Sequence, residues 1–226
     1  MIILNDIDNV KHIVITTDNA SFANANALYS FVLSKHKKVS LIITEEIDRR
    51  FSFLPWYSMR RETAPGSADL FIEAQSDSIV LFQYLKQTGI LINQKMATAL
   101  FAGLLEYTEN FSSVTCNGTA FAVASELIGL KAQHLTCKEF LLKRESLAVF
   151  RLKALVYKNM LQSSNGEIVN VYLSDKDLIC SGATQQDVEK VLKEILKMVH
   201  VKEIRLYKSK ENKNIIKSIK EKEIEK

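Results

Sequence analysis

Three cysteines, Cys116, Cys137 and Cys180, and four histidines, His12, His36, His134 and His200, are the residues of this chain best suited to act as nucleophiles, bases or soft metal ligands. None falls in C-x-x-C or H-x-x-x-H spacing, so a structural zinc site or a disulfide framework has too few ligands. No base is spaced to activate a cysteine, and His134 and His200 read more simply as partly buried or surface histidines. The acids Asp18, Glu73, Asp77, Glu106 and Glu109 are of the type that holds hard divalent ions, yet their scatter is equally that of surface charge. Arg60 and Arg61 either meet a phosphate or form a solvated pair. Asn24 and Asn26 lie at an expected helix start, where an Asn side chain either caps free N–H groups or touches a ligand. Seven glycines with no adjacent pair leave no glycine-rich phosphate cradle.

The elements that must position these residues are legible in the periodicity. His12 to Thr16 is a β-branched run, Thr17 to Ser21 breaks it, and Ala23, Ala27, Leu28, Phe31 and Val32 then recur at helical spacing. Val39 to Thr44 is an apolar strand of the kind buried on both faces of a parallel sheet. This is a β-α-β unit, and ligands of such sheets bind beyond the carboxyl ends of strands, which directs attention to the loop from Thr17 to Ala25. Asp69 to Ile72 is a further predicted strand, with helices over Ser78 to Tyr84, Gln94 to Glu106 and Thr119 to Ile128, the last closed by Gly129. A polar helix is expected near Lys138 to Phe150. Strands follow at Leu155 to Leu161, Glu167 to Leu173 and Glu203 to Tyr207, with a hairpin turn at Ser163 to Gly166 and an amphipathic helix over Gln186 to Met198.

Composition narrows the class. Gly and Pro together are 9 of 226 residues, well under the roughly 12% of average usage, which disfavours collagen-like and turn-dense all-β chains. The longest apolar stretch, Ala97 to Leu105, is about half of the roughly 20 residues that span a bilayer, and the N-terminus lacks a basic secretory start. A cytoplasmic protein without a membrane partner is expected. Net charge is +4, of which the stretch from Lys208 to Lys226, with seven Lys and four Glu, supplies +3, so the body does not look like a nucleic-acid-coating protein.

The order of these elements resembles the DHH phosphoesterases of the RecJ-like and nanoRNase group. The resemblance is carried by Phe53-Leu54-Pro55, Ala68 to Ile72, Ala97-Thr98-Ala99-Leu100-Phe101-Ala102-Gly103, Glu106 to Phe111, Thr119 and Ala124-Ser125-Glu126-Leu127. It implies an α/β fold with a parallel-sheet DHH-type domain over residues 1–150. A smaller, truncated α+β domain similar to the DHH-associated domain would follow over 151–207, and a Lys/Glu-rich tail, solvated helix or disordered, over 208–226. It also implies two manganese ions held by Asp and His from four motifs, activating water to cleave a phosphodiester.

Set against that pattern, the ligand positions are altered. In the first motif the His becomes Ala20, the Pro Ala23, the two Asp become Asn24 and Asn26 and the Gly Tyr29, while Ala27 and Ser30 remain. The second motif's Asp falls near Gln75, although Ala68 to Ile72 fits equally well after the third motif. The Asp-His-His is absent, the fourth ligand is Tyr107, followed by Thr108, and the late glycine-rich motif is missing.

The resemblance therefore implies a degenerate bacterial member with no catalytic residue and no metal ligand. Asn24, Asn26, Ser30, Gln75, Tyr107 and Thr108 would remain as motif positions and ligand contacts. The expected function is binding or scaffolding, with nucleotide or phosphate binding independent of metal because the helix end beside Asn24 and Asn26 would be uncharged. Its partner would be a nucleotide or short oligonucleotide. Two alternatives stand beside it: a manganese-dependent phosphodiesterase for short oligonucleotides or small nucleotide phosphates using relocated ligands, and an interaction module with no ligand that meets a protein partner through the C-terminal tail. A homo-oligomer fits each of them.

Overall fold

The computed structural model describes residues 4–143, 145–210 and 214–220 and divides the chain into two compact units, 1–144 and 145–226. In the first unit, strands β1 (His12–Thr16), β2 (Lys38–Ile42), β3 (Arg60–Arg61) and β4 (Leu70–Glu73) form a wholly parallel sheet in the order β3-β2-β1-β4. Helix α1 (Phe22–Ser34) connects β1 to β2, and helices α2 (Ser78–Gln87), α3 (Gln94–Tyr107), α4 (Gly118–Gly129) and α5 (His134–Leu142) follow β4.

Strand order reverses at β1, between β2 and β4, so the crevice of this sheet lies beyond the carboxyl ends of β1 and β4. Helix α1 carries no charge and is buried on all sides from Phe22 to Val32, because it packs against β2 and β1 and also against α3, itself buried from Met96 to Leu105. Alanines at 23, 25, 27, 97, 99 and 102 let these two helices approach closely. Any polar side chain on this part of α1 must therefore find its partner inside the protein.

In the second unit, helix α6 (Leu147–Asn159) leads into strand β5 (Met160–Ser163), which pairs antiparallel with β6 (Ile168–Tyr172) across a tight turn at Ser164–Gly166. Helices α7 (Asp175–Ser181) and α8 (Gln185–Ile195) each open with a capping box, Ser174 with Asp177 and Thr184 with Asp187. Strand β7 (Glu203–Tyr207) joins β6 in parallel, and β8 (Lys217–Lys220) closes the order β5-β6-β7-β8. Val169, Val171, Ile204 and Leu206 face a core built with Leu152 and Val156 of α6 and Val188, Val191, Leu192 and Ile195 of α8. A parallel-sheet α/β unit followed by a smaller α+β unit is the expected fold class.

Several elements differ from expectation. Leu155 to Asn159 is the end of α6 rather than a strand: Ser146 accepts from the Val149 N–H at the helix start, and Leu152 and Val156, four residues apart, fill the core. The predicted helix over 138–150 is two helices, α5 and α6, and the division at 144/145 rather than 150 follows from α6 packing on α7, α8 and β6. Gly129 is the last residue of α4 rather than its cap; the left-handed residue is Lys131, with φ of 65°. Part of the expected tail, Lys217–Lys220, is an edge strand, while 211–213 and 221–226 lie outside the described residues. Among the described residues no helix is long and apolar enough to cross a membrane.

Candidate functional site

Beyond the carboxyl ends of β1 and β4 lies a hollow of about 190 Å3 lined by Thr16, Thr17, Asp18, Ser21, Glu73 and Ala74. The loop that forms its wall is closed upon itself. Asp18 Oδ1 accepts the Ser21 N–H at 2.8 Å and the Ser21 hydroxyl at 2.6 Å, and Thr17 Oγ1 meets Ser21 Oγ at 2.8 Å. Asn19 pins the loop to the segment after β2, donating Nδ2–H to Glu45 Oε1 and to the Glu46 carbonyl, both at 2.9 Å, while its Oδ1 accepts the Asp48 N–H at 2.9 Å. The start of α1 therefore holds a carboxylate already. It is not the uncharged helix end expected from Asn24 and Asn26, and with Glu73 also lining it the hollow holds two carboxyl side chains, a poor place for an anion.

Asn24 and Asn26 are inside α1, past its start, and neither caps it; the N-cap is Ser21. Asn24 is buried and donates Nδ2–H to the Gln75 carbonyl at 2.7 Å, while its Oδ1 accepts the Ser78 hydroxyl at 2.7 Å. It thus ties α1 to the turn after β4 and to the start of α2. Gly103 of α3 faces this knot: a Cβ there would stand 2.4 Å from Ser78 Oγ and 2.6 Å from Asn24 Oδ1. Asn26 donates to the Phe22 carbonyl at 3.1 Å and accepts the Trp56 backbone N–H at 3.1 Å. Ser30 donates to the Asn26 carbonyl at 3.0 Å and accepts Trp56 Nε1–H at 2.7 Å. The ring of Trp56 lies on Tyr29, with centroids 5.1 Å apart, and Lys95 Nζ stands 4.9 Å from the Trp56 ring centre.

Gln75 follows the end of β4 and enters this arrangement through its carbonyl, its side chain being exposed. Tyr107, the last residue of α3, stands near Asp77, whose carboxylate raises its pKa. Asp77 also caps α2, accepting from the Ile79 and Val80 N–H groups. The first-motif helix and Gln75 are therefore linked at the start of α2. Thr108 is buried and structural: its hydroxyl donates to the Leu104 carbonyl at 2.7 Å and accepts the Phe111 N–H at 3.1 Å. Glu109, Asn110 and Phe111 follow with φ of 47°, 59° and 62°, three left-handed residues in a row.

The remaining candidates have other partners. Glu106 meets Arg50 Nη1 at 3.3 Å; the same guanidinium pairs with Asp48 at 2.8 Å and donates to the Leu141 carbonyl at 2.9 Å. Burial works against the charge of Arg50, but Glu106 and Asp48 together carry its pKa above the ordinary value. Cys137 is buried, which pushes its thiol up to about 12. His12 is buried between Ser40 Oγ at 3.0 Å and the Ser67 carbonyl at 3.0 Å. His134 is half-buried and His200 exposed. Arg60 and Arg61 line a broad open hollow of about 550 Å3 that also holds Glu45, Glu46 and Glu62.

Whether these residues fit two divalent metals is decided by the donor set. The motif positions carry neutral amides already hydrogen-bonded on both ends, a phenol and a backbone carbonyl, while two dications require several anionic oxygens. Among the described residues no three His, Cys, Asp or Glu side chains are grouped so as to hold a metal ion. The residues do not fit the pair. Sequence reading missed Asn19, Arg50 and Ser78; Gly103 stood in the run Ala97 to Gly103 and Trp56 after Phe53-Leu54-Pro55, but their contacts with α1 carried no signal.

No protein-family profile matches the chain, and no curated protein matches it in sequence. Among solved structures it is similar to an exopolyphosphatase-related protein from Bacteroides fragilis, with a TM-score of 0.70 at 12% identity over 90% of this chain and 78% of that one. A Methanococcus jannaschii protein described as a family II inorganic pyrophosphatase matches with a TM-score of 0.35 at 15% identity, over 86% and 81% of the respective chains. The first likeness shows the fold, a parallel-sheet α/β unit with a second, smaller sheet unit.

Proposed function

We propose that this chain is a pseudoenzyme on a DHH phosphoesterase-type fold, with a binding or scaffolding role in place of hydrolysis. One observation supports the reading above others: Asn24, Asn26 and Ser30, at the positions where the resemblance puts metal-binding residues and their neighbour, are buried and bonded to Gln75, Ser78, Phe22 and Trp56. What would be a reactive edge in an active relative is here an interlock between α1, α2 and the segment at Trp56.

The competing reading, a phosphodiesterase with relocated ligands, draws on Asp18 and Glu73 lining one hollow. Two carboxylates are a thin donor set for a hard cation. The test is elemental analysis of protein purified without chelator, together with hydrolysis of a chromogenic phosphodiester and of a short oligonucleotide in manganese. Substoichiometric metal and turnover at the buffer rate are expected; stoichiometric manganese with turnover abolished by Asp18→Asn and Glu73→Gln would establish the enzyme instead.

A further inference from the structure

Helix α6 buries one side and leaves the other bare. Leu152 and Val156 fill the core of the second unit, with Val149 and Leu155 packed against it. On the opposite side Leu147, Phe150 and Tyr157 expose 64%, 58% and 41% of their surface, and Arg151, Ala154 and Lys158 are exposed between them. A helix whose outer side meets only water carries polar residues there, as α8 of the same unit does with Gln185, Gln186, Lys190 and Lys193. Helix α6 departs from that pattern.

The exposed residues also repeat. Leu147 is followed seven residues later by Ala154, Phe150 by Tyr157 and Arg151 by Lys158. Seven residues are nearly two helical turns, so this side carries an aliphatic, an aromatic and a cationic row, each along the helix axis. Written as a heptad, Leu147 and Ala154 take position a, Phe150 and Tyr157 position d, and Arg151 and Lys158 position e. That is the pattern of a coiled-coil seam, in which a and d meet a partner helix and e selects its charge. Ala154, small and between two aromatic residues, lets a second backbone approach closely.

Charge names the partner. Among the described residues neither Arg151 nor Lys158 has an ion-pair partner, and the acids beside this helix, Glu145 and Glu194, are both bonded to Lys153, at 2.7 and 2.8 Å. A second copy of α6 fits poorly. Antiparallel pairing sets Arg151 against Lys158, and parallel pairing sets Lys158 against Lys153, cation on cation either way. Residues 145–226 hold 16 Lys and Arg against 12 Asp and Glu, whereas residues 1–144 hold 14 of each, so the field around this helix draws acidic groups.

We propose that the outer side of α6 docks an acidic amphipathic helix of a protein partner, apolar at its own a and d positions and bearing Asp or Glu beside them to meet Arg151 and Lys158. The inference goes beyond the pseudoenzyme reading and does not depend on it, since none of these residues belongs to the motifs of the first unit.

The test uses the full chain and a labelled synthetic helix of about four heptads, with Leu at a and d and Glu at e and g, read by fluorescence anisotropy at low salt. The control peptide has Lys at e and g. The Glu peptide should bind, more weakly as salt rises, and the Lys peptide should bind about tenfold less tightly or worse. Phe150→Ser should weaken binding by about tenfold while circular dichroism stays that of the wild type, because the residue is outside the core. Arg151→Glu with Lys158→Glu should exchange the preference, which a merely damaged surface cannot do. Photocross-linking from a benzophenone at a d position of the peptide should label residues 147–158. Absence of binding at about 1 mM peptide, equal affinity for the two peptides, or cross-links elsewhere would overturn the proposal. So would a response to phosphatidylglycerol vesicles alone, or self-association of the chain abolished by Phe150→Ser, which would give this side to lipid or to a second copy. Turnover of a phosphodiester in manganese would instead overturn the pseudoenzyme reading and leave the docking side standing.

Discussion

Asn24 uses both ends of its amide, giving a proton to the Gln75 carbonyl and taking one from Ser78. A carboxylate of the same shape keeps the second bond and cannot make the first, since it has no proton to give. Asn24→Asp, which restores the acid of the active motif, should therefore destabilise the protein by about 1–3 kcal/mol at neutral pH. Burial raises the folded-state pKa of such an acid above its unfolded value. The protonated form can donate to Gln75, so the variant should approach wild type below the ordinary Asp range and lose ground as pH rises through the raised value. Urea unfolding followed by the fluorescence of Trp56, the single tryptophan, measures this directly. A variant as stable as wild type at neutral pH that also gains tight manganese binding would show that the site remains a metal centre in waiting. Asn26→Asp should cost a similar amount, about 1–3 kcal/mol, because its oxygen likewise still accepts the Trp56 N–H and the bond to Phe22 is lost.

At the scale of elements, the close approach of α1 and α3 sets what each tolerates. Alanine is the better helix former by about 1 kcal/mol, yet Gly103→Ala would drive a methyl against Ser78 and Asn24, and overpacking of this kind costs about 1–3 kcal/mol. A net loss in thermal stability is expected for Gly103→Ala. Gly129→Ala, in α4 with open space around it, should be neutral or stabilising. Calorimetry of the two variants side by side separates crowding from propensity, and a stabilising Gly103→Ala would mean that the interlock is looser than its distances imply. The β1-α1-β2 unit, the buried α3 and the cores of both sheets were legible because their apolar spacing is local. The partners of Asn24 and Asn26 were not, for they lie 51 and 30 residues away, and one of them is a backbone carbonyl whose residue type carries no signal. Leu155 to Leu161 misled for the opposite reason: a locally apolar run was read without Leu152, which with Leu155 and Val156 makes the helical spacing that the core selects.

Across the whole molecule, charge and core divide in the same place: each unit has its own apolar cluster, and the positive excess belongs to the second. Acid should weigh most on that unit. Arg205 and Ser218 hold the Glu203 carboxyl at about 2, below its ordinary 4.5, and Asp177 and Glu189 are lowered as well, by Ser174 and Lys217 respectively; in the first unit the lowered carboxyl is Asp69, bonded to the His12 and Lys11 N–H groups. A carboxyl whose folded pKa is depressed contributes stability above its unfolded value and loses that contribution as pH falls toward the folded one. Glu203→Gln should accordingly lower the thermal midpoint near neutral pH, and the gap from wild type should close as pH falls from about 4.5 toward 2. A gap constant across that range would mean that the pair acts through shape alone.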